Sequence, residues 1–344
     1  MKNSNSGAVR CGIILAGGEG KRLQPFIQRL RGDTFPKQYV NFIGTRSMLD
    51  HTHHHAEMLI APERVFTVIS EGHLRHKDVC RQLFHRPKGT VILQPENKDT
   101  GPGLLLPLIH IAQRHPNSVV TVFPSDHFIL EEELFMGYVN SACRAVERDP
   151  SRLVLLGAEP YAPETQYGYI LPGSEAKDSP CPGLHPVLRF IEKPGQHTAR
   201  ELLQWGSLWN TLVMVFQTRT MLNLVRRAVP VLYRAFERIE EALGTPQEKD
   251  ILEETYRDTT PWNFSRGLLE MLPSLSSLSL SVLTLRGVFW SDWGSEARIL
   301  SDLKKLGFTA RLRELDARLQ QSAMRPGDLH TEIGLHDKDD LACF

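Results

Sequence analysis

The first 160 residues alternate short apolar runs with longer segments of helical periodicity, and this alternation constrains the fold more than any other feature. Five apolar runs predict strands at Gly12–Ala16, Val65–Ser70, Val91–Gln94, Val119–Phe123 and Leu153–Gly157. Four segments between them predict helices at Ser47–Leu59, Leu74–Phe84, Gly103–Arg114 and Glu131–Glu147. This order implies right-handed crossovers, and nearly continuous apolar strands suit a sheet covered on both faces. The sequence therefore predicts an α/β fold with a Rossmann-like, mostly parallel mixed sheet flanked by helices.

Beyond residue 160 the pattern is less regular, but the same two kinds of segment continue. Further strands are predicted at Tyr167–Leu171, Val187–Glu192, Leu212–Phe216 and Ser279–Leu285, and helices at Thr218–Val229 and Val231–Leu243. Gly, Pro and Ser are frequent in Pro172–Pro186, which predicts a hairpin loop or an excursion of the chain. A charged amphipathic stretch over Glu296–Gln321 predicts a helical extension. We therefore expect a main domain over residues 8–295 and a C-terminal extension over residues 296–344, poorly ordered from residue 325 onward.

Three glycines directly follow the first predicted strand, where residues 16–22 read Ala-Gly-Gly-Glu-Gly-Lys-Arg. Their spacing fits neither of the common phosphate loops, G-x-x-x-x-G-K-[ST] and G-x-G-x-x-G. The loop falls at the carboxyl edge of the predicted sheet, where open α/β folds bind ligands and glycines let backbone N–H groups approach phosphate oxygens. Lys21 and Arg22 add positive charge, and Lys37 supplies a third cation. The sequence thus predicts an anion site, with a tight turn and exposed cations as the alternative.

Two carboxylates follow predicted strands in a similar way. Asp126 comes directly after the fourth strand, and Asp292 follows the apolar run Val282–Phe289. A carboxylate beside a phosphate loop would repel the anion unless a cation lies between them, so the pair predicts an Mg²⁺ site. The alternative for Asp126 is a helix N-cap ahead of the acidic residues that begin at Glu131.

Composition excludes several classes of protein. Lys+Arg 40 balances Asp+Glu 40, so no global charge favours binding to nucleic acid or to an anionic membrane. The five cysteines are scattered and lack C-x-x-C spacing, which argues against a disulfide framework and a structural zinc site. The N-terminal segment lacks the apolar centre of a signal peptide, and no apolar run is long enough to span a bilayer. We expect a cytoplasmic protein without nucleic-acid or membrane partners; the sequence is compatible with a homo-oligomer.

Seven motifs, in order, resemble those of the sugar-1-phosphate nucleotidylyltransferases, most closely the mannose-1-phosphate guanylyltransferase branch. They extend over about residues 10 to 300. The motifs are residues 15–23 (LAGGEGKRL) with 35–38 (FPKQ), 94–102 (QPENKDTGP), 124–127 (PSDH), 164–170 (ETQYGYI), 190–194 (FIEKP), 208–210 (LWN) and 291–295 (SDWGS). Each motif alone is only modestly specific for this family, whereas the occurrence of all seven in the same order strongly indicates the resemblance.

The resemblance implies a reaction, a cofactor and a set of site residues. The reaction would join a nucleoside triphosphate, here GTP, to a sugar 1-phosphate, here mannose 1-phosphate, with release of pyrophosphate, and the cofactor would be Mg²⁺. Arg22 and Lys37 would be catalytic, and Asp126 and Asp292 would bind the metal. The implied nucleotide-binding residues are Gly17, Gly18, Gly20, Lys21, Gln94, Thr100 and Gly101. The implied sugar-phosphate-binding residues are Gly168, Glu192, Lys193 and Asn210.

Three departures from the family pattern leave alternatives open. Lys21 stands where Thr is common, residues 98–101 read Lys-Asp-Thr-Gly in place of Arg-Asn-Thr-Ala, and residues 263–267 replace a motif that usually contains Ile-Asp-Tyr. The alternatives are another base, another sugar such as a heptose, and a catalytically silent regulatory homologue, although Arg22, Lys37 and both carboxylates persist. A glycosyltransferase would require an Asp-x-Asp motif, which residues 125–127 lack.

Four histidines cluster in the first predicted helix, at positions 51, 53, 54 and 55. His51 and His55 are spaced i, i+4 and could share a metal ion. No third ligand is evident in the sequence, and the cluster lies in a segment that the resemblance treats as an ordinary helix. We therefore predict a solvent-exposed helix face.

Overall fold

The computed structural model describes residues 8–175, 181–274 and 279–323. Its fold is built around a large central β-sheet. Strands in these residues are β1 Arg10–Leu15, β2 Val65–Ser70, β3 Val91–Gln94, β4 Val119–Pro124, β5 Phe128–Ile129, β6 Arg152–Ala158, β7 Gly168–Pro172, β8 Leu184–Glu192, β9 Leu208–Gln217, β10 Ser279–Leu285 and β11 Trp290–Ser291. Helices are α1 Gln24–Arg31, α2 Met48–Glu57, α3 Lys77–Leu83, α4 Thr100–Arg114, α5 Glu132–Arg148, α6 Gln196–Gln204, α7 Thr218–Ala228, α8 Pro230–Ala242, α9 Glu248–Asp258, α10 Glu296–Lys305 and α11 Thr309–Ala323.

The large sheet is mixed, with strand order β3-β2-β1-β4-β9-β6-β10-β8-β7, and β7 also pairs with β9. Pairing is parallel among β3, β2, β1 and β4 and between β6 and β10, whereas β7, β8 and β9 pair with their neighbours in antiparallel fashion. A second, two-stranded sheet joins β11 to β5. The predicted α/β fold with a mixed sheet is confirmed.

Apolar helix faces cover both sides of the large sheet. One buried cluster contains side chains from α4, α7 and α8, and the other contains side chains from α2, α5, α10 and α11. Strands such as β2 and β4 are buried at every residue, as the continuous apolar runs predict. This double coverage leaves the loops at the strand ends as the place where polar groups can converge.

The parallel strands bring three predicted motifs to one edge of the sheet. β1 ends at Leu15, β3 at Gln94 and β4 at Pro124, and the registers of these strands place those ends on the same side. Ser125 reinforces the junction, because its hydroxyl donates to the Leu15 carbonyl at 2.8 Å. The glycine loop after β1 and Asp126 after β4 are therefore neighbours.

The predicted helical extension is present in the described residues as α10 and α11. Ile299, Leu303 and Leu315 are fully buried in the same cluster as the sheet, and Arg311 donates to the main-chain oxygens of Asn41 and Phe42. These two helices therefore pack directly onto the main domain. The division at residue 296 stays a prediction, and the tail predicted to be poorly ordered, residues 325–344, lies outside the described residues.

A hairpin was expected over Pro172–Pro186, and β7 and β8 pair as the two strands of a hairpin, with Gly168 opposite Glu192. Residues 176–180, between these strands, lie outside the described part of the chain. Helices α1, α6 and α9 have no counterpart among the predicted elements. No helix in the described ranges combines the length and the apolar character that crossing a membrane requires.

Candidate active site

A cleft of ≈ 640 Å³ opens at the sheet edge where β1, β3 and β4 end. It brings together most of the predicted site residues, which come from motifs spread along the whole main domain. Those that line it are Gly17, Gly18, Arg22, Lys37, Gln94, Thr100, Asp126, Gly168, Glu192, Lys193, Asn210 and Asp292. Gly20, Lys21 and Gly101 lie outside the lining, and their assignment to nucleotide binding stays a prediction.

The glycine loop is held from inside the protein through its carbonyl groups. The Gln38 side-chain amide donates to the carbonyl oxygens of Ala16 at 2.7 Å and Gly18 at 2.9 Å, and the Ser70 hydroxyl donates to that of Gly17 at 2.8 Å. The backbone N–H groups of residues 17–20 donate no hydrogen bond to the described part of the chain. The loop thus keeps free donors of the kind that bind phosphate oxygens.

Gly17 has a steric reason to be glycine. A Cβ at this position would lie 2.2 Å from Nε2 of Gln94. A larger residue at this position would displace the side-chain amide of Gln94.

Lys37 contacts both residues that are predicted to bind the metal. Its side chain is buried, and Nζ lies 2.8 Å from Oδ2 of Asp126 and donates to the main-chain oxygen of Asp292 at 2.9 Å. Burial alone would raise the pKa of Asp126, but the positive charge of Lys37, with a smaller electrostatic contribution from His127, outweighs it and lowers that pKa. The carboxyl group of Asp126 is therefore charged at neutral pH, beside the Lys37 ammonium.

Asp292 is the more tightly held of the two. Its Oδ1 accepts hydrogen bonds from the Tyr167 hydroxyl at 2.7 Å, from Nη1 of Arg298 at 2.5 Å and from the Gly294 backbone N–H at 3.0 Å. Burial opposes ionisation, yet Lys37, Arg298 and the Tyr167 hydrogen bond lower the pKa of Asp292 to about 2. This carboxylate is ionised throughout the physiological range.

The donor set fits Mg²⁺. This ion usually takes one or two protein carboxylates and completes its octahedron with water and substrate phosphate oxygens. Asp126 and Asp292 supply that number, and both line the cleft beside Lys37. No group of three or more His, Cys, Asp or Glu side chains suited to a metal ion occurs in residues 8–175, 181–274 and 279–323. The alternative role predicted for Asp126, the N-cap of the following helix, is wrong, because the N-cap of α5 is Glu131.

The predicted sugar-phosphate residues gather where β7, β8 and β9 meet. Gly168 pairs with Glu192 across β7 and β8, and Asn210 lies within β9, next to β7. Lys193 has a left-handed backbone conformation, with φ of 49°, and its N–H donates to the Tyr167 carbonyl at 3.1 Å. Burial raises the pKa of Glu192, although Lys193 acts in the opposite direction. Lys193 is half-exposed and can turn toward an anion.

The predicted base-binding residues form a separate corner of the cleft. The Gln94 side chain is buried, and its Nε2 donates to Oγ of Ser70 at 3.1 Å, while its Oε1 has no hydrogen-bond partner in the described chain. Asp99 also lines this corner and caps α4 by accepting from the Thr100 backbone N–H at 2.6 Å. Gln94 and Asp99 thus both offer acceptor oxygens.

Gly101 does not line the cleft; it packs against Trp262 behind this corner. A Cβ there would lie 2.0 Å from Cε3 of Trp262, and its N–H donates to the Trp262 carbonyl at 2.9 Å. The segment at 262–264 is fixed further by the Phe264 N–H, which donates to Oγ1 of Thr100 at 2.9 Å. The first turn of α4 therefore packs directly against the segment that departs from the family motif.

Sequence reasoning missed several residues that build this site. Ser70 orients Gln94, Tyr167 and Arg298 hold Asp292, and Glu164 pairs with Arg298. Tyr167 and Glu164 stood inside a recognised motif, which was a usable signal. Ser70 and Arg298 carried none, because one ends an ordinary strand and the other lies on a charged amphipathic helix.

The histidine cluster is not the exposed face that was predicted. His53 and His55 are 5% and 3% exposed, and only His51 and His54 reach the surface. His53 contacts Oγ1 of Thr67 at 2.9 Å through Nε2, and His55 lies 3.1 Å from Glu132. The prediction is wrong because α2 packs against β2 and α5 and so has two buried sides.

The chain belongs to the nucleotidyl transferase family, whose sequence profile matches residues 11–305. It is 31% identical over 230 residues to "Xanthan biosynthesis protein XanB" of Xanthomonas campestris pv. campestris (strain B100), covering 67% of this chain and 46% of that protein. It is 30% identical over 226 residues to a mannose-1-phosphate guanylyltransferase of Escherichia coli, covering 65% and 46%. The chain spans about half the length of the curated relatives it matches.

Solved structures share the same fold. The mannose-1-phosphate geranyltransferase from Thermus thermophilus superposes with a TM-score of 0.69 at 26% identity, covering 83% of this chain and 76% of that chain. A Helicobacter pylori structure described as mannose-6-phosphate isomerase superposes with a TM-score of 0.62 at 20% identity, covering 83% and 99%. The second likeness shows the fold alone. The family resemblance inferred from the motifs is confirmed.

Proposed function

We propose that this chain transfers a guanylyl group from GTP to mannose 1-phosphate, giving GDP-mannose and pyrophosphate. The observation that carries the proposal is the meeting in one cleft of three cations, Arg22, Lys37 and Lys193, with the two carboxylates Asp126 and Asp292. Membership of the nucleotidyl transferase family and relatives that are named as mannose-1-phosphate guanylyltransferases support it.

The chemistry requires alignment and charge neutralisation rather than a general base. A phosphate monoester has a second pKa of about 6, so the sugar phosphate is largely dianionic at neutral pH and needs no deprotonation. One of its oxygens attacks the α-phosphorus of the triphosphate. The bond from that phosphorus to the oxygen that bridges the α- and β-phosphorus atoms breaks, and pyrophosphate leaves with the electron pair. The protein must hold two anions in line and stabilise the departing charge.

We assign each cation to a part of this reaction. Arg22 and the free N–H groups of residues 17–20 would hold the triphosphate and stabilise the leaving pyrophosphate. Lys37 would contact the α-phosphate, and Lys193 would hold the phosphate of the sugar. Arg22 donates to Oε1 of Gln166 at 3.0 Å, so its guanidinium is directed along the loop that precedes β7.

Asp126 and Asp292 would hold the Mg²⁺ ion. When bound, the ion would neutralise phosphate charge and restrict the orientation of the triphosphate. The chain's own contribution is a pair of carboxylates whose lowered pKa values keep them ionised, and Lys37, which reduces their mutual repulsion.

The polarity of one hydrogen-bond relay supports guanine as the base. The Gly17 carbonyl can only accept, so the Ser70 hydroxyl donates to it and must accept from the Gln94 amide N–H. This fixes the side chain of Gln94 with Oε1 as an acceptor, and the Asp99 carboxylate is a second acceptor in the same corner. Guanine offers two adjacent donors, N1–H and the N2 amino group, whereas the other common bases offer at most one donor position on that edge.

The sugar assignment depends on the named relatives and on the polar groups beside Lys193. Glu192 and Asn210 can hydrogen-bond sugar hydroxyls, and Gly168 leaves room for the ring: a Cβ there would lie 2.7 Å from Oε2 of Glu192. These residues support a hexose phosphate as the acceptor substrate.

The test is a pyrophosphate-release assay on the full chain that crosses GTP, ATP, UTP, CTP and dTTP with mannose 1-phosphate, glucose 1-phosphate and a heptose 1-phosphate, with and without Mg²⁺. We expect the highest kcat/KM for GTP with mannose 1-phosphate, and activity only with the metal. Release with a different pair would overturn the assigned substrates, and no release with any pair would favour a silent homologue. Full activity in an Asp126→Ala/Asp292→Ala double variant would overturn the metal assignment.

A further inference from the structure

Arg298 lies on α10, outside all the recognised motifs, yet it contacts the cleft through two carboxylates. Its Nη1 donates to Oδ1 of Asp292 at 2.5 Å, and its Nη2 donates to Oε2 of Glu164. The guanidinium carbon also lies 4.7 Å from the centre of the Tyr167 ring. The Arg298 side chain is only 14% exposed, so these contacts are enclosed rather than formed in open solvent.

The consequence for Asp292 is that its two carboxylate oxygens are no longer equivalent. Oδ1 accepts from Tyr167, Arg298 and the Gly294 N–H, which uses its acceptor capacity. Oδ2 receives no hydrogen bond from the described residues. A freely rotating carboxylate could exchange these oxygens, but a guanidinium fixed at a second point by Glu164 resists that rotation.

Through Glu164 the same arginine is linked to Arg22, which lines the cleft. Oε1 of Glu164 accepts from the Gln166 N–H at 3.0 Å, and Oε1 of Gln166 accepts from Arg22 at 3.0 Å. A continuous set of polar contacts therefore joins α10, the loop before β7 and the arginine of the glycine loop.

We propose that Arg298 is a positioning residue for nucleotidyl transfer: it holds Asp292 so that Oδ2 is the oxygen presented to a divalent cation, and it fixes the loop that orients Arg22. The inference rests on the function proposed above and adds a residue from the C-terminal extension to that site. Removing a group that orients a metal ligand typically costs about 10- to 100-fold in metal affinity or activity.

The test compares wild-type protein with Arg298→Met and Arg298→Lys. Mn²⁺ binding in the presence of GTP is followed by electron paramagnetic resonance, and kcat and KM are measured by pyrophosphate release. For Arg298→Met we expect Mn²⁺ affinity and kcat each to fall about 10- to 100-fold with little change in the KM for GTP. Arg298→Lys keeps the charge but cannot contact both carboxylates at once, so we expect intermediate values.

Arg311→Met is the matched control. Arg311 lies on the neighbouring helix α11, is 16% exposed, and donates to two main-chain oxygens away from the cleft. We expect it to lower the unfolding temperature about as much as Arg298→Met does, while Mn²⁺ affinity and kcat stay at the wild-type values. If the two variants change all these quantities equally, Arg298 has a structural role only and the proposal is wrong.

The double variant Arg298→Met/Glu164→Gln distinguishes loss of the positioning of Asp292 from the effect of leaving the Glu164 carboxylate without its partner. If the loss in Arg298→Met came only from leaving Glu164 without its partner, the double variant would recover wild-type Mn²⁺ affinity, and the proposal would be overturned. Positioning of Asp292 predicts no recovery. A wild-type protein inactive with every substrate pair would refute the proposed function, whereas the Mn²⁺ measurement would still decide the role of Arg298.

Discussion

The side-chain amide of Gln94 donates to the Ser70 hydroxyl, with 3.1 Å between Nε2 and Oγ, while the buried carbonyl oxygen of the same amide has no partner in the described chain. A buried acceptor without a partner costs free energy, and a ligand donor would recover it. If Gln94 binds the base as proposed, Ser70 at the end of β2 contributes to base selection through this hydrogen bond.

Replacing Ser70 by Ala is expected to weaken the proposed preference for guanine. Without the hydroxyl, the Gln94 amide can turn over and present its N–H₂ group, which suits a base with an acceptor at that position. Loss of one hydrogen bond of about 1 kcal/mol corresponds to an approximately fivefold fall in the ratio of kcat/KM for GTP to that for ATP. Ser70→Thr retains a hydroxyl and should keep the wild-type ratio; an unchanged ratio in Ser70→Ala would contradict the relay.

Lys37→Met should lower kcat more than any other single change of a cation in the cleft. The substitution removes the charge shared by Asp126 and Asp292 and the proposed contact to the α-phosphate. By analogy with the loss of an oxyanion-stabilising donor, we expect kcat to fall about 100- to 1,000-fold. Lys88→Met, at an exposed lysine remote from the cleft, is the control and should keep wild-type kinetics. A loss of less than about tenfold in Lys37→Met would argue against a catalytic role.

Gly101→Ala should destabilise the protein because the new Cβ would meet the Trp262 ring at 2.0 Å and its carbonyl oxygen at 2.7 Å. Overpacking of this kind costs about 1–3 kcal/mol. Gly137→Ala is the matched control, because Gly137 is an exposed helical residue in α5 whose added Cβ would touch nothing within 4 Å. Urea unfolding should show a lower midpoint for Gly101→Ala and an equal or higher one for Gly137→Ala.

His53 should make the stability fall as the pH is lowered. Burial, followed by the charge of Arg86, lowers the pKa of His53 in the folded state to about 3, whereas an unfolded histidine titrates near about 6.5. Below that value the unfolded chain binds a proton that the folded chain does not, so folding is disfavoured. Between pH 7 and pH 5 the cost is about 2 kcal/mol.

The measurement is urea unfolding of His53→Gln at pH 7 and pH 5. The glutamine can keep the hydrogen bond to Thr67 but does not titrate, so the loss of stability between the two pH values should shrink by about 2 kcal/mol. His54→Gln, at a half-exposed position on the same helix, should leave the loss unchanged. Equal pH dependence in all three proteins would show that His53 titrates normally.

The strands of the fold were predictable because their apolar runs are continuous, and β2, β3 and β10 have the predicted bounds. Helices α6 and α9 were not predicted because each buries only two side chains, Ala199 and Leu202 in one and Thr255 and Tyr256 in the other. So few buried positions leave a weak periodic signal. The exposed histidine face assigned to α2 was wrong for a different reason, because histidine is polar by composition and its burial depends on the two elements that cover the helix.

The motif residues of the site were predictable from their order along the chain, but their supporting contacts were not. Arg298 and Glu164 are 134 positions apart, and Asp292 and Tyr167 are 125 apart. Nothing local in the sequence around Arg298 distinguishes it from the other charged residues of its helix. Such pairs emerge only when the sheet order brings α10 beside the loop before β7.

Strand β9 joins the two halves of the large sheet, and it is irregular at Leu212, whose φ is 56°. It pairs with β7 at Leu208 and Trp209, beside the residues proposed to bind the sugar, and with β4 from Met214 to Gln217, in the half of the sheet that carries Asp126. The irregular segment between these two pairings, residues 210–212, is the part of β9 that lines the cleft. For protein engineering this means that Asn210, where β9 lines the cleft, can be varied while the Met214–Gln217 pairing that anchors the strand to β4 is left intact.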